Sequence, residues 1–310
     1  MEHHATPDLS VVIVTHNGRE LALRTLGSAM AAAGRLSVEW IVVDSGSSDG
    51  TPDAIQADWP EVLVNRLPNV GFAAANNVGF AQARGRYVLA LNPDTEVLEG
   101  TFAQLVAAMD ARPRIGVASV IQEFADGTLQ PSIRRYPSVG RVLSEALLIR
   151  ALPGCRGLQE RELEPGAYQA DRSADWLVGA FLLLRREALG DVAGFDQRFF
   201  MYSEETDLCR RIRDAGWDVR HIPAMRILHH GGAPSPRLVA QHAYSRVEYA
   251  RKHFGRTRAA AFRLAIALHH LVRFFAFGAL RRASERGAGE RHALAVALGV
   301  APPPFAGGES

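Results

Sequence analysis

Cysteine is nearly absent: 310 residues carry only Cys155 and Cys209, far apart and without CxxC or Cys/His spacing. That excludes a disulfide framework and a structural zinc site, and it fits a reducing, cytoplasmic setting. Charge of one sign is lacking too. A formal net charge of +2 is not the polyelectrolyte signature of a nucleic-acid binder, so any basic partner surface must be local. No secretory apolar segment opens the chain. Met1 to Leu9 is short and polar, with His3 and His4, and the apolar run after it reads as a strand, so the mature protein is expected to begin at Met1. With 47% hydrophobic residues the chain is too apolar to be disordered, and it can bury one large core or one core plus a smaller appendage.

What is present first is alternation. Ser10 to Thr15 and Val38 to Asp44 are compact apolar runs of the kind buried on both faces of a parallel sheet. Between them, Leu21, Leu23, Leu26 and Met30 have roughly helical spacing, and Gly34 supplies a stop. The pattern continues through Val62-Leu63-Val64, an alanine-rich stretch from Phe72 to Arg84, a strand from Tyr87 to Leu91 and a helix from about Thr101 to Asp110. Strand–helix–strand repetition implies a doubly wound α/β sheet, whose ligands sit beyond the carboxyl ends of the strands.

Three polar segments fall just past strand ends: Thr15-His16-Asn17, Asp44-Ser45-Gly46 and Asn92-Pro93-Asp94. Each alone also satisfies a turn, because Asn, Asp, Ser and Gly are turn formers. Three on one edge favour a binding site. Asp44 to Thr51 combines two carboxylates with small residues that let a ligand approach the backbone. A carboxylate there accepts hydrogen bonds from a base imide or a ribose hydroxyl, and Asp44 rather than Asp49 is the expected residue. Thr51 reads as a helix cap.

These segments resemble family 2 glycosyltransferases of the GT-A fold, nearest the bacterial rhamnosyltransferase-like group. The resemblance is carried by Val11 to Asn17, Asp44 to Thr51, Asn69-Val70-Gly71-Phe72 through Asn76 and Gly79, Gly85 through Leu91-Asn92-Pro93-Asp94-Thr95, and Gly179 to Gly232. It implies a Rossmann-like, mostly parallel sheet flanked by helices with a C-terminal helical extension. The domain would span 1–235, with a nucleotide-sugar half (1–116) and an acceptor half (117–235), followed by helices over 236–300 and a disordered tail over 301–310.

The activity implied is attack of an acceptor hydroxyl on the anomeric carbon of a nucleotide sugar, with inversion, which needs a base and a cation to neutralise the leaving diphosphate. Mg2+ or Mn2+ would use carboxylate and phosphate oxygens. By the resemblance, Thr15, His16, Asn17, Asp44, Gly71, Asn76, Asn92 and Asp94 hold the donor. Asp94 is the metal carboxylate, with Asn92 where the family's first Asp stands, and His229 reaches the metal or diphosphate while His230 faces away. In Glu204-Glu205-Thr206-Asp207, Glu205 aligns with the family's general base but is longer by one methylene. Glu204 is the fallback, and Asp207 is structural or acceptor-binding. Acidic residues in a helical first turn also suit the helix dipole, with Ser203 as cap.

Elsewhere Asp126-Gly127 signals a hairpin, and Arg134-Arg135 offers guanidinium to phosphate or is simply solvated. Pro153, Gly154, Gly157, Pro165 and Gly166 break up 138–171, expected to be a mobile loop or acceptor insert. Trp176, Gly179 and Ala180 either floor the acceptor site or pack the core. Over 256–282 an apolar helical run is interrupted by Arg263 and Arg273 and flanked by Arg256, Arg258, Arg281 and Arg282. It falls short of a clean transmembrane span and suits an anionic membrane surface or, equally, a packing or homodimer interface. The function expected is rhamnosyl transfer from thymidine-diphosphate rhamnose to a cell-envelope or lipid-linked glycan at the inner membrane face. Mannosyl, galactosyl or galactofuranosyl transfer is one alternative, and a catalytically silent nucleotide-sugar-binding scaffold is another.

Overall fold

Strand β1 (Leu9–Thr15) is the axis of the parallel half of the sheet in the computed structural model, which describes residues 6–149, 155–232, 235–280 and 285–305. All seven of its residues are buried, as an unbroken β-branched run requires. It pairs in parallel with β2 (Val38–Ser45) on one side and β4 (Tyr87–Leu91) on the other, and β3 (Leu63–Leu67) extends the sheet beyond β2. The register sets Thr15 opposite Asp44 and Ile13 opposite Leu91, so the three polar segments share the carboxyl edge.

Helices α1 (Arg19–Ala32), α2 (Thr51–Asp58) and α3 (Phe72–Gln82) connect these strands. In α1 the buried residues are Ala22, Thr25, Leu26, Ala29 and Ala32, one face at helical spacing. The helix cap expected of Thr51 belongs to Asp49: its carboxylate accepts the backbone N–H groups of Arg19 and of Thr51, both at 3.0 Å, and so serves the first turns of α1 and α2 together. The hydrogen bond from the Thr51 hydroxyl, foremost, holds the Asp49 carboxyl below its ordinary range.

After β4 the sheet also takes on antiparallel strands. Strand β5 (Thr95–Glu99) follows with no intervening helix, then α4 (Phe102–Asp110), closed by a capping box between Thr101 and Gln104, and β6 (Ile115–Glu123). Further on come β7 (Ile133–Arg134), α5 (Val139–Ala146), β8 (Arg172–Ser173), β9 (Trp176–Leu177), β10 (Phe181–Arg185), α6 (Arg186–Val192), α7 (Glu204–Asp214) and β11 (Asp218–His229). Among the described residues the sheet order is β3-β2-β1-β4-β10-β6-β11-β5, with β8 also on β11 and β7-β9 forming a separate pair. Strand β10 is antiparallel to both β4 and β6, and β5 is antiparallel to β11. Strands β6 and β11 pair in parallel, so the sheet beyond β4 is mixed, with antiparallel β10 inserted between two parallel sets.

The chain folds as two compact units. The first runs up to Arg134 and adds Glu162–Asp196 and Glu205–Gly231. The second takes Arg135–Arg161, Gln197–Glu204 and the chain from Gly232 on. The first unit's core joins Val11, Ile13, Leu26, Leu89, Phe102, Phe181 and Ile227. At the start of β4 the Tyr87 ring meets the guanidinium groups of Arg86 and Arg185, 5.5 and 5.1 Å from its centroid.

In the second unit, α8 (Pro236–His253), α9 (Arg256–Leu280) and α10 (Glu285–Leu298) pack on one another, and α5 packs on α9. Part of 138–171 is therefore helix, with Ser138 capping the N–H of Arg141 at 3.2 Å. Pro153 and Gly154 lie outside the described residues, as do Arg281, Arg282 and 306–310. The beginning of the expected disordered tail is packed: Phe305 stacks on Phe200 at 4.7 Å and lies under the Arg237 guanidinium. A buried carboxylate, Glu290, takes His270 at 2.6 Å and Arg273 at 2.7 Å. Burial acts to raise its pKa, and these two partners bring it below the ordinary value.

Gly85, in the bend between α3 and β4, lies against β1. A Cβ there would sit 2.6 Å from the Ser10 backbone nitrogen and 2.8 Å from the Leu9 carbonyl carbon. Backbone cannot yield as a flexible side chain does, so Gly85→Ala is expected to destabilise by about 1–3 kcal/mol, measured by urea unfolding. An unchanged midpoint would mean that β1 and β4 separate without cost.

Candidate active site

On the carboxyl edge, the Thr15 hydroxyl donates to Asp44 Oδ2 at 3.0 Å, and Asp44 Oδ1 accepts the Ser47 N–H at 3.0 Å. Asp44 and Thr15 are buried, whereas His16 and Asn17 are exposed. His16 Nδ1 lies 2.8 Å from the Ser45 carbonyl oxygen, and Asn17 Oδ1 accepts the Ser48 N–H at 3.0 Å. The loops 45–48 and 68–71 touch at Gly46, where φ is +83° and a Cβ would come within 2.9 Å of the Asn69 nitrogen. Only glycine fits both conditions. Gly71 stands at the entrance to α3, its N–H 3.3 Å from Asn69 Oδ1. Asn76, expected among the donor ligands, is instead buried inside α3 with its amide nitrogen on the Phe72 carbonyl at 2.9 Å.

The turn Asn92-Pro93-Asp94-Thr95 is clamped from α1. The buried Thr25 hydroxyl donates to the Pro93 carbonyl at 2.8 Å and accepts the Thr95 N–H at 3.1 Å. Within the turn, the Thr95 hydroxyl donates to the Asn92 carbonyl at 2.8 Å. β11 ends against it: His229 pairs with Thr95, and the His230 N–H donates to the Asp94 carbonyl at 2.9 Å. His229 Nε2 lies 3.3 Å from Asp94 Oδ1, near enough to pair in charge but outside hydrogen-bond geometry, and 3.5 Å from Asn92 Nδ2. His230 turns to Glu96, with Nε2 2.6 Å from Oε1. Burial acts to raise the Asp94 pKa, but the neighbouring His229 and the Gly231 N–H bring it below the ordinary carboxylate value, so the group is ionised at neutral pH.

Asn92 Oδ1 and Asp94 Oδ1 are both buried without a hydrogen-bond partner. Orphaned oxygens of this kind are costly unless a donor or cation meets them. Among the described residues no cluster of three or more His, Cys, Asp or Glu side chains forms a ligand set. The donors thus suit a hard divalent cation that takes one carboxylate, one imidazole and the rest from phosphate and water, and do not suit an all-protein cage.

Gly179-Ala180 adjoins this edge, because the Asn92 N–H donates to the Ala180 carbonyl at 3.0 Å. Gly179 also borders Glu205: a Cβ at 179 would lie 3.5, 3.6 and 3.9 Å from its Cβ, Cγ and Cδ. Glu205 is partly exposed and Glu204 is buried. Their helix is entered through two left-handed residues, Tyr202 (φ 69°) and Ser203 (φ 66°). That conformation departs from the extended backbone of an N-cap and costs on the order of 1–3 kcal/mol per residue. Asp207 is fully buried and bound by Arg211 at 2.7 Å, whose guanidinium also reaches the carbonyls of Val192 and Gly194. It holds a loop and has no surface for an acceptor. Trp176 is likewise buried, with the Arg134 guanidinium 5.4 Å from its ring. Sequence reasoning missed Thr25, Glu96 and Gln130, whose side-chain amide lies 3.0 Å from His229 Nδ1.

Residues 10–192 match the family model described as glycosyl transferase family 2, and residues 168–278 match glycosyl transferase family group 2. The chain is similar to N-acetylglucosaminyl-diphospho-decaprenol L-rhamnosyltransferase of Mycobacterium tuberculosis, 34% identical over 274 residues, 82% of this chain and 88% of that one. Similarity to rhamnosyltransferase WbbL of Escherichia coli is 27% over 168 residues, 52% of this chain and 61% of that one. The solved structure of mannosyltransferase PcManGT from Pyrobaculum calidifontis, in complex with GDP-Man and Mn2+, shares the fold at TM-score 0.56 and 18% identity, over 97% of this chain and 83% of that one.

Thr25→Val removes the clamp while keeping side-chain volume. It leaves the Pro93 carbonyl and Thr95 N–H short of a buried partner, a cost of about 1–3 kcal/mol. The expected outcome is lower stability in urea together with weaker nucleotide-diphosphate binding in the presence of Mn2+. Binding at wild-type strength would show that the turn holds its shape without α1.

Proposed function

Because the chain belongs to glycosyl transferase family 2 and is a nucleotide-sugar-dependent glycosyltransferase, we propose that it transfers L-rhamnose, with inversion, from a thymidine-diphosphate donor to N-acetylglucosamine carried on a polyprenyl diphosphate. The sugar and the acceptor rest on the likeness to the mycobacterial rhamnosyltransferase. The observation that carries the chemistry is the linked edge: the orphaned oxygens of Asn92 and Asp94 beside His229, with Gly179-Ala180 connecting Asn92 to Glu205.

Thr15, His16, Asn17, Asp44 and Gly71 line the strand ends where the nucleotide is received. Asn92, Asp94 and His229 would hold Mg2+ or Mn2+, whose chemistry there is neutralisation of the departing diphosphate. Glu205, as general base, takes the acceptor hydroxyl proton while that oxygen attacks the anomeric carbon from the face opposite the diphosphate. Gly179 and Ala180 border the acceptor. The buried neighbour Glu204 is structural.

The membrane reading belongs to α9. Arg256–Phe277 is long and apolar enough to cross a membrane, and only 28% of an apolar 18-residue window within it is buried. Leu264 (65% exposed), Leu271 and Phe275 (63% exposed) recur at helical spacing on one side. The helix contains no Asp or Glu and carries Arg256, Arg258, Arg263 and Arg273. An apolar stripe beside cations suits the anionic inner face of the cell membrane, where a polyprenyl-linked acceptor resides.

Glu205→Gln is expected to lower kcat by roughly 100-fold or more with donor binding retained, and Glu204→Gln to act mainly on stability. Turnover surviving the first and abolished by the second would reverse the assignment. Steady-state transfer from thymidine-diphosphate rhamnose checks both, and exclusive use of a mannosyl or galactosyl donor, or donor binding without transfer, would overturn the function. For α9, Leu264→Asp with Phe275→Asp is expected to reduce co-sedimentation with vesicles containing phosphatidylglycerol by at least about tenfold. Unchanged vesicle binding with dissociation of a dimer would assign the stripe to self-association instead.

A further inference from the structure

Gln130 follows the hairpin turn in which the Phe124 N–H meets the Thr128 carbonyl at 2.8 Å, and its own N–H donates to the Gln122 carbonyl at 2.8 Å. Its side chain is buried and points at the imidazole of His229, with both the amide oxygen and the amide nitrogen 3.0 Å from Nδ1. The opposite ring nitrogen, Nε2, faces Asp94 Oδ1 at 3.3 Å. An imidazole held this way has two neutral forms, and each makes a different demand at Nδ1. When Nε2 carries the proton it faces a carboxylate oxygen favourably, and Nδ1 needs a donor. When Nε2 presents its lone pair to a cation, Nδ1 carries the proton and needs an acceptor. A carboxylate at position 130 meets only the second demand and an apolar side chain meets neither. A primary amide meets both, because rotation of its terminal group exchanges NH2 for C=O at one place.

We infer that Gln130 is a positioning residue for His229: its amide fixes the ring against Asp94 and lets the imidazole change tautomer as a divalent cation binds. This rests on the reading of His229 as a metal ligand. Partners of this kind, bound to the far nitrogen of a ligating histidine, typically change metal affinity by roughly 10- to 100-fold when removed. The signal was hard to find in the sequence because residues 130 and 229 are 99 positions apart and Gln130 reads as part of a hairpin.

The test is titration with Mn2+, followed by electron paramagnetic resonance of the free ion with thymidine diphosphate present throughout, on wild type, Gln130→Leu, Gln130→Glu and His229→Ala. Gln130→Leu is expected to weaken Mn2+ by roughly 10- to 100-fold and Gln130→Glu, which keeps an acceptor, by less than about threefold. His229→Ala separates the two levels of the claim. If it binds Mn2+ as wild type does, or if wild type binds none, the ligand reading falls and this inference with it. If it is weakened while Gln130→Leu is not, the inference alone falls. The second readout is the 15N shift pattern of His229, in which the two neutral tautomers give different signals. Wild type is expected to pass from Nε2–H to Nδ1–H on adding Mg2+, and Gln130→Glu to show Nδ1–H in both conditions. A wild-type tautomer unchanged by Mg2+ would overturn the exchange. Thermal unfolding of each variant is run alongside, and recovery of Mn2+ affinity in Gln130→Glu but not Gln130→Leu at equal stability is the outcome a merely structural role would not give.

Discussion

The hydroxyl of Thr25 is the constraint from which the edge chemistry follows. One buried oxygen, donated from α1, bonds to the Pro93 carbonyl and the Thr95 N–H and so holds both flanks of Asp94. The chain must leave the centre of the sheet at β4 and re-enter at its far edge as β5, with only Asn92, Pro93 and Asp94 between. A turn that tight exposes backbone groups with no strand partner, and a hydroxyl is the smallest side chain that both gives and accepts a hydrogen bond there. With the backbone satisfied from α1, the side chains of Asn92 and Asp94 are free to face His229.

Acidic residues along the same edge are divided by environment. Asp49 is used up by the two helix starts it caps, and Asp207 by Arg211. Asp44 has the Thr15 hydroxyl on one oxygen and the Ser47 N–H on the other, and each carboxylate oxygen has room for a second donor. Asp94 combines burial with an oxygen that has no hydrogen-bond partner. Burial opposes its charge, and the nearby His229 and the Gly231 N–H outweigh burial. The result is an ionised carboxylate with an unused lone pair, the state that a cation-binding oxygen requires.

Local patterns carried the first half of the fold. Ser10 to Thr15, Val38 to Asp44 and Tyr87 to Leu91 are short apolar runs with turn residues after them, and the register of β1, β2 and β4 puts their ends side by side. Strand β5 escaped because Thr95–Glu99 is an edge segment with two glutamates, its identity set by pairing with β11 more than 120 positions later, counting from Glu99 to Arg226. Helix α5 was hidden by the prolines and glycines around it. Asn76 and Trp176 had the residue types of a site, but type does not reveal that Asn76 bonds to its own helix or that Trp176 is covered by Arg134. Thr25 and Gln130 act through partners 68 and 99 positions away, so nothing local marks them.

Glu205 is a longer carboxylate where the family resemblance puts an aspartate, and the structure contains a feature that accommodates the difference. Along Gly179 the Glu205 side chain runs within ordinary contact distance of where a Cβ would stand, from its own Cβ to its Cδ. A Cβ at 179 would itself fill the contact layer along Glu205, at 3.5 to 3.9 Å from its Cβ, Cγ and Cδ. With glycine there, the longer chain runs beside Gly179, and the backbone continues to Ala180, whose carbonyl accepts the N–H of Asn92. Glu205 is thereby linked to the turn that holds Asp94 through one packed glycine and one hydrogen bond. Under the role proposed for Glu205, positioning of that order is what a carboxylate taking the proton of an attacking hydroxyl would require.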